Sequence, residues 1–322
     1  GPGFRRRGQV HFLLGPRRMG KTSTLLNLPR LLSSQFVPVF IDFQNAKWRE
    51  SDTTFCWNLA DAIFKELQRG GLTTDLRQPD MESFKEHPFT LLDRFLDQIE
   101  TLSNAIKKQI LLTFDEYERL EQGIDQKGGV KILDQIRNIV QHRERIVVLF
   151  SGSHRFEEMK TINWSDYLIN VKTLQIGFLS ADDARMLLTQ PTPEFNLEYA
   201  PGLVDRIIET TQGQPYLLQA VASDLVNYLN SEKRISATAE DLEIALDKTL
   251  VTAEVYFFNL WTYCSEEEQA ILREIGMKPS AEVTAKDQAI QALCRREILR
   301  SINNRYCFTI DLFRRWMMKR FL

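Results

Sequence analysis

The strongest constraint on this chain is the octapeptide Gly15-Pro-Arg-Arg-Met-Gly-Lys-Thr22, a match to the pattern G-x-x-x-x-G-K-[ST]. It follows Val10 to Leu14, a short run of strand formers, and precedes Ser23 to Leu28, where apolar residues fall at helical spacing. Strand, glycine-rich loop and helix in that order are the context in which such a loop wraps a phosphate. A Cβ at Gly15 or Gly20 would block close approach or forbid the needed φ. The intervening Pro16, Arg17, Arg18 and Met19 are therefore expected to offer their backbone to an anion, together with the helix N-terminus. In that geometry Lys21 reaches the β- and γ-phosphates of a nucleoside triphosphate, Thr22 offers its hydroxyl to Mg2+, and Ser23 completes the contact set.

Two more apolar runs end in polar clusters. Ile110 to Phe114 leads into Asp115 and Glu116, and Ile146 to Phe150 leads into Ser151, Gly152, Ser153, His154 and Arg155. Ligands of a parallel sheet gather beyond the carboxyl ends of its strands. That places Asp115 in the Mg2+ shell and Glu116 where it orients and polarises an attacking water. Ser151 and Ser153 are candidate sensors of the γ-phosphate, and Arg155 a candidate to reach the phosphate or a neighbouring subunit. Serine and glycine also simply terminate strands, and His154 reads as a solvated loop histidine.

Phe36 to Ile41 and Val171 to Ile176 supply two further strands. Pro38 cannot donate to a central ladder, so its strand belongs at an edge. The expected fold is α/β, an additive-strand (ASCE) P-loop NTPase sheet in the order 5-1-4-3-2. Helices fill the crossovers: Phe55, Leu59, Ile63 and Leu67 recur at i+4, and Leu92, Phe95, Leu96 and Ile99 follow a helical pattern. Gly70 to Pro88 reads as the loop between them.

Length and composition bound the rest. A chain of 322 residues favours two or three domains. Charged residues make up 26% and hydrophobic ones 43%, with a formal net charge of −2, so nothing global draws the protein to nucleic acid or anionic lipid. Cys56, Cys264, Cys294 and Cys307 stand singly, which argues against a zinc site or disulfide framework and for reduced thiols in a cytoplasmic protein. No apolar run approaches the roughly 18 to 20 residues that span a bilayer, so no membrane is expected as a partner. Gly1-Pro2-Gly3 has the look of a cleaved-tag scar, and the chain is expected to be a piece of a larger protein.

Taken together, Gly15-Pro-Arg-Arg-Met-Gly-Lys-Thr-Ser23, Val37-Pro-Val-Phe-Ile-Asp42, Phe114-Asp-Glu-Tyr-Glu118, Phe150-Ser-Gly-Ser-His154 and Gly213-Gln-Pro-Tyr-Leu-Leu-Gln219 resemble the STAND and archaeal-type ATPases of the AAA+ neighbourhood. The resemblance runs over nearly the whole chain. It implies ATP rather than GTP as the nucleotide, slow Mg2+-dependent hydrolysis to ADP, a helical lid, a winged-helix domain, and a nucleotide-governed switch controlling domain arrangement or self-association. No Asn-Lys-x-Asp guanine-reading motif occurs. The family's Gly-x-Pro falls on Gly213, Gln214 and Pro215, which implies that Pro215 approaches the nucleotide; read alone, Pro215 is an ordinary first-turn helix proline. Two features depart from the family. Only Phe4-Arg-Arg-Arg-Gly8 precedes the first strand where a Gly-Arg-Glu type segment usually helps seat adenine, and Arg143, Arg145 and Arg155 are all plausible as arginine finger.

Beyond Gly177 the pattern is almost wholly helical, with capping signals at Ser180-Ala-Asp-Asp183 and Thr238-Ala-Glu-Asp241. Val251 to Trp261 is aromatic-rich and reads as core or interdomain packing. Ser265 to Ile275 and Ala285 to Ile298 form two helices, and Leu299 to Ile302 and Tyr306 to Ile310 alternate around Asn303-Asn304 as a hairpin. Helices followed by a hairpin describe a winged helix. The expected division is a P-loop core over 1–177, a helical lid over 178–262 and a winged helix over 263–322. From Ile290 to Leu322 eight Lys and Arg face two acids. That excess either binds a DNA backbone, as in origin-recognition or transposition-regulating ATPases, or lies on the solvated face of a regulatory domain. Sensor or effector domains would lie outside this chain.

Overall fold

The computed structural model describes residues 10–73, 76–122, 129–153, 170–277, 288–303 and 305–321. Two compact units make up the chain, residues 1–176 and 177–322. The apolar runs of the first unit become five strands, β1 Val10–Leu14, β2 Phe36–Asp42, β3 Gln109–Asp115, β4 Ile146–Gly152 and β5 Val171–Gln175. They pair in the order β2-β3-β4-β1-β5, every ladder parallel. This is the expected 5-1-4-3-2 order seen from the other edge. β1 and β4 are buried along their whole length and β3 along all but its first residue, the mark of strands covered on both faces. β2 carries Pro38 at one edge. β5, at the other edge, is mostly exposed and ends one residue earlier than expected. The Ile176 N–H still donates to the Leu14 carbonyl at 2.8 Å, so the ladder continues past the strand.

Helices α1 Lys21–Leu31, α2 Asp52–Arg69, α3 Pro88–Ile106, α4 Arg119–Gln122 and α5 Gly129–His142 connect these strands. A capping box between Ser51 and Thr54 starts α2. Its Phe55, Leu59, Ile63 and Leu67 are buried in one cluster with Leu92, Phe95, Leu96 and Ile99 of α3. The stretch expected as a plain loop before Pro88 contains a 3₁₀ turn, Glu82–Lys85. Phe84 pins that turn into the core, and the Trp57 indole donates to the Pro79 carbonyl at 3.2 Å; aromatic anchoring at this distance leaves no periodic trace in a sequence.

The second unit holds α6 Ala181–Thr189, α7 Leu203–Thr211, α8 Pro215–Ser231, α9 Ala239–Thr252, α10 Glu254–Thr262, α11 Glu266–Met277, α12 Gln288–Arg295, a hairpin of β8 Leu299–Ile302 and β9 Arg305–Phe308, and α13 Asp311–Phe321. Ser180 and Thr238 cap α6 and α9 as their sequences foretell. The helical stretch is interrupted by a two-residue parallel pair, β6 Glu198–Tyr199 with β7 Ser236–Ala237, too short to carry a periodic signal. One apolar cluster runs from Ala184 to Met317 and includes Val221, Phe257, Phe313 and Trp316, so residues on both sides of position 262 share a core. In the Val251 to Trp261 stretch, Phe257 and Trp261 of α10 are buried, whereas Val251 at the end of α9 and Val255 of α10 are each 68% exposed; packing accounts for only part of the stretch. No helix among the described residues is long and apolar enough to cross a membrane.

His11 sits on β1 between Leu149 of β4 and Lys172 of β5 and is buried. Burial pushes its imidazole down from 6.5 to about 4, with Lys172 acting in the same direction. A folded-state value below the unfolded one means the unfolded chain takes up the proton first as pH falls. Stability is therefore expected to be intact above pH 6.5 and to decline by up to about 3 kcal/mol between pH 6.5 and 4 from this group alone. Urea titrations at steps across that window should show the decline in the wild type and a shallower one in His11→Leu.

Candidate nucleotide-binding site

The chain leaves β1 at Leu14 and enters α1 at Lys21 through a loop with left-handed residues at Arg18, φ 65°, and Gly20, φ 85°. A Cβ on Gly15 would stand 2.5 Å from the Ile176 carbonyl oxygen, so the loop can start there only without a side chain. The Gly15 N–H donates to the Gly152 carbonyl at 3.4 Å, which ties the loop to the end of β4. Gly20 gives α1 no side-chain cap, and no acid lies in its first turn. The helix thus begins with N–H groups that its own cap residue does not satisfy.

Lys21 is 5% exposed. Its Nζ turns back over the loop and donates to the carbonyls of Gly15 at 2.8 Å and Pro16 at 3.0 Å. Burial pushes this ammonium below its usual range, and the carboxylates of Glu116, Glu118 and Asp115 oppose the shift. Beside it, Thr22 Oγ1 donates to Asp115 Oδ2 at 2.5 Å, closing a contact across 93 residues of sequence. Asp115 lies in register with Ser151 of β4 and with Asp42 of β2. Asp115 Oδ1 and Ser151 Oγ are both buried and, among the described residues, neither has a hydrogen-bond partner.

Orphaned buried oxygens are costly unless something fills the place. A carboxylate oxygen and a threonine hydroxyl are hard donors of the kind Mg2+ takes, and Mg2+ needs only one or two protein ligands when phosphates supply others. Thr22 and Asp115 therefore fit that ion. Glu116 follows with φ 53°, a left-handed conformation uncommon for a side-chain-bearing residue. Its N-terminal neighbour ends β3, and the Tyr117 N–H donates to the Ser151 carbonyl at 3.2 Å. Burial pushes the Glu116 carboxyl up, Glu118 adds to this, and Lys21 opposes it. A carboxylate raised in this way is a better proton acceptor.

Comparison with known proteins agrees with this geometry. Residues 5–159 match the family model described as an AAA domain. That match covers the P-loop unit, where the chain is similar to AAA-type P-loop ATPases. Among solved structures it is similar to the Walker-type ATPase PABY2304 of Pyrococcus abyssi, at 16% identity and TM-score 0.67, covering 97% of this chain and 91% of that one. It is also similar to the ORC2 protein of Aeropyrum pernix, solved as ADPNP–ADP complexes, at 10% identity and TM-score 0.53, covering 98% and 89%. No curated protein matches its sequence.

The remaining sequence-derived candidates divide clearly. Pro16, Arg17, Arg18 and Ser23 are exposed around the loop, while Met19 is buried beneath it. His154 and Arg155 lie outside the described residues. Arg143 and Arg145 precede the amino end of β4, the opposite rim from Lys21. Arg143 is engaged by Asp93, Asp97 and Glu100, and Arg145 by Asn104, so neither reaches this chain's own loop. Pro215 belongs to the second unit and occupies the first turn of α8, where Gln214 caps Leu217 at 2.6 Å. Gly213, at φ 70°, is held by a Leu179 N–H bond of 2.9 Å to its carbonyl.

Glu118 is the group that sequence reading passed over. Its Oε1 accepts from both the N–H and the hydroxyl of Ser153. Nothing in one sequence pairs two residues 35 positions apart; the only hint is glycine at 152 between two serines. That glycine is obligatory, because an added Cβ would stand 2.2 Å from Glu118 Oε2 and 2.6 Å from the buried Tyr117 ring. Gly152→Ala is expected to lose about 1–3 kcal/mol from overpacking, read as a lowered urea midpoint. Gly177→Ala, whose Cβ would meet nothing within 4 Å, should stay within about 0.5 kcal/mol of wild type.

Proposed function

We propose that this chain binds and slowly hydrolyses ATP as a switch of the STAND type, its nucleotide state governing domain arrangement or self-association. The observation that carries the reading is the Thr22 to Asp115 hydrogen bond, which sets loop, metal donors and Glu116 at one rim of the sheet. ATP rather than GTP follows from the family resemblance, and a nucleotide-bound relative of the same fold exists in the ORC2 protein with its ADPNP–ADP complexes.

In this reading the loop N–H groups and Lys21 hold the phosphates. Thr22 and Asp115 would hold Mg2+, whose charge favours the leaving diphosphate. Glu116 orients a water against the γ-phosphorus and takes its proton as the bond to the β-phosphate oxygen breaks. Ser151 Oγ, buried and lacking a partner among the described residues, would serve as the sensor, with Ser153 beside it. Pro215 would approach the nucleotide from a lid over 178–262, and Arg155 would act on the phosphate or on a neighbouring subunit. Residues 263–322 would form the winged helix of a cytoplasmic regulator whose sensor and effector parts lie outside this chain.

The alternative, a DNA-binding regulator, has less support. Of the eight basic residues beyond Ile290, six have partners within the second unit. Arg296 pairs with Glu268, Arg300 donates to Gln212, and Arg314 pairs with Asp311. Arg315 pairs with Asp311 and Glu243, Lys319 with Asp247 and Arg320 with Glu254. Hydrolysis measured with and without duplex DNA at two salt concentrations is expected to be the same; stimulation that fades with salt would favour the alternative.

Two substitutions separate binding from chemistry. Lys21→Ala is expected to abolish ATP binding in a calorimetric or fluorescent-nucleotide titration. Glu116→Gln should bind ATP within about threefold of wild type and lose on the order of a hundredfold or more in turnover. Normal hydrolysis by the Glu116 variant would remove that residue from its assigned role.

A further inference from the structure

Two peptide segments leave the sheet beside Asp115, one after β3 and one after β4. One link between them at side-chain level runs through Glu118. Glu118 Oε1 accepts the Ser153 N–H at 3.1 Å and the Ser153 hydroxyl at 2.7 Å. A carboxylate accepting two bonds from one residue fixes both its backbone and its rotamer, and such charge-assisted bonds are stronger than neutral ones. Gly152 lets the link close, since any side chain there would occupy the space of Glu118 and Tyr117. Tyr117 adds a second fastening: its N–H bonds the Ser151 carbonyl, and its ring packs edge-on to Phe12 and Phe150 at 5.2 and 5.7 Å.

We propose that Glu118 is a positioning residue that pins Ser153, at the end of β4, to the turn after β3, and so holds the hydroxyls of Ser151 and Ser153 where a terminal phosphate is read. This rests on the nucleotide reading above and adds a specific consequence. In that reading the two serine hydroxyls serve the terminal phosphate, which ATP has and ADP lacks. Losing the pin should therefore weaken the response to a triphosphate while leaving the diphosphate bound by the loop and Lys21. In this role Glu118 acts through Ser153 rather than on the phosphates.

The test compares wild type, Glu118→Ala, Glu118→Gln and Lys21→Ala. The readouts are Kd values for ADP and for a non-hydrolysable ATP analogue with Mg2+, together with kcat and KM for ATP. Glu118→Ala is expected to keep ADP affinity within about twofold, to lose about tenfold in preference for the triphosphate over the diphosphate, and to lower kcat by a similar factor. Glu118→Gln keeps an acceptor oxygen in the same place and should restore most of both quantities. A merely structural residue would weaken the two nucleotides alike and leave their ratio unchanged, and that result overturns the proposal. So does a Glu118→Gln variant as impaired as Glu118→Ala, because charge rather than the pin would then matter. If Lys21→Ala binds both nucleotides normally, or wild type binds neither, the nucleotide reading itself falls and the pin falls with it. Loss of binding in Lys21→Ala with an unchanged ratio in Glu118→Ala rejects the pin alone.

Discussion

A buried ammonium is the constraint on which the first unit turns. Lys21 is almost wholly withdrawn from water, and an unpaired charge in that position would cost several kcal/mol. Two loop carbonyls and three nearby carboxylates compensate it. This works only because the carboxyl ends of β1, β3 and β4 stop at the same level, with Leu14 opposite Gly152 and Asp115 opposite Ser151. A slip of one residue would send Asp115 to the other face of the sheet and leave Lys21 and Thr22 without it. Stacked and edge-on rings beneath the rim hold the register: Phe12 lies 5.1 Å from Phe150, and Phe114 lies 5.3 Å from both Phe150 and Phe43. Rings this close lock neighbouring strands more tightly than aliphatic contacts of equal area.

The two glycines that matter most at this rim are there for close approach rather than for unusual backbone angles. Gly15 meets the Ile176 carbonyl and Gly152 meets Tyr117 and Glu118, and neither has a positive φ. The left-handed positions fall elsewhere, at Gly20 and at the side-chain-bearing Arg18 and Glu116. Glu116 is the informative case. Backbone strain at a residue that also carries a raised carboxyl pKa is the pattern of a side chain aimed by its surroundings rather than by its own preference.

How much of this was legible beforehand follows from the range of each interaction. The loop and the caps at Ser180 and Thr238 depend on residues a few positions apart and could be read directly, whereas the sheet order came with the fold class that the P-loop and the Asp115-Glu116 pair imply. Pro38 marked an edge strand because a missing N–H is a local fact. The Glu118 to Ser153 pin spans 35 positions and was invisible, as was the 3₁₀ turn held by Phe84. Val251 and Val255 looked like core because hydrophobicity alone cannot say which face of a short helix finds a partner. Arg143 looked available to a phosphate until three carboxylates of α3 were found around it.

The C-terminal charge shows the same limit and bears on the choice between the two functional readings. Counted along the chain, residues 290–322 carry a clear positive excess. In space, however, Glu243, Asp247, Glu254 and Glu268 from α9, α10 and α11 lie against it. Glu243 bridges Arg206 and Arg315, and Asp311 holds both Arg314 and Arg315, so the pairs form a network rather than isolated contacts. Binding to a polyanion gains free energy by releasing condensed counterions, one for each phosphate neutralised. An arginine already paired with a carboxylate gives up that partner first, which for an exposed pair offsets about 0–1 kcal/mol of the gain. Arg295 and Arg305 have no ion pair or hydrogen-bonded partner among the described residues and Arg300 meets only the neutral Gln212, so three charges lack a carboxylate, fewer than the six to ten phosphate contacts that give strong, salt-sensitive attachment. The basic end of this chain ties α13 and its neighbours to the preceding helices through pairs that remain partly exposed to solvent.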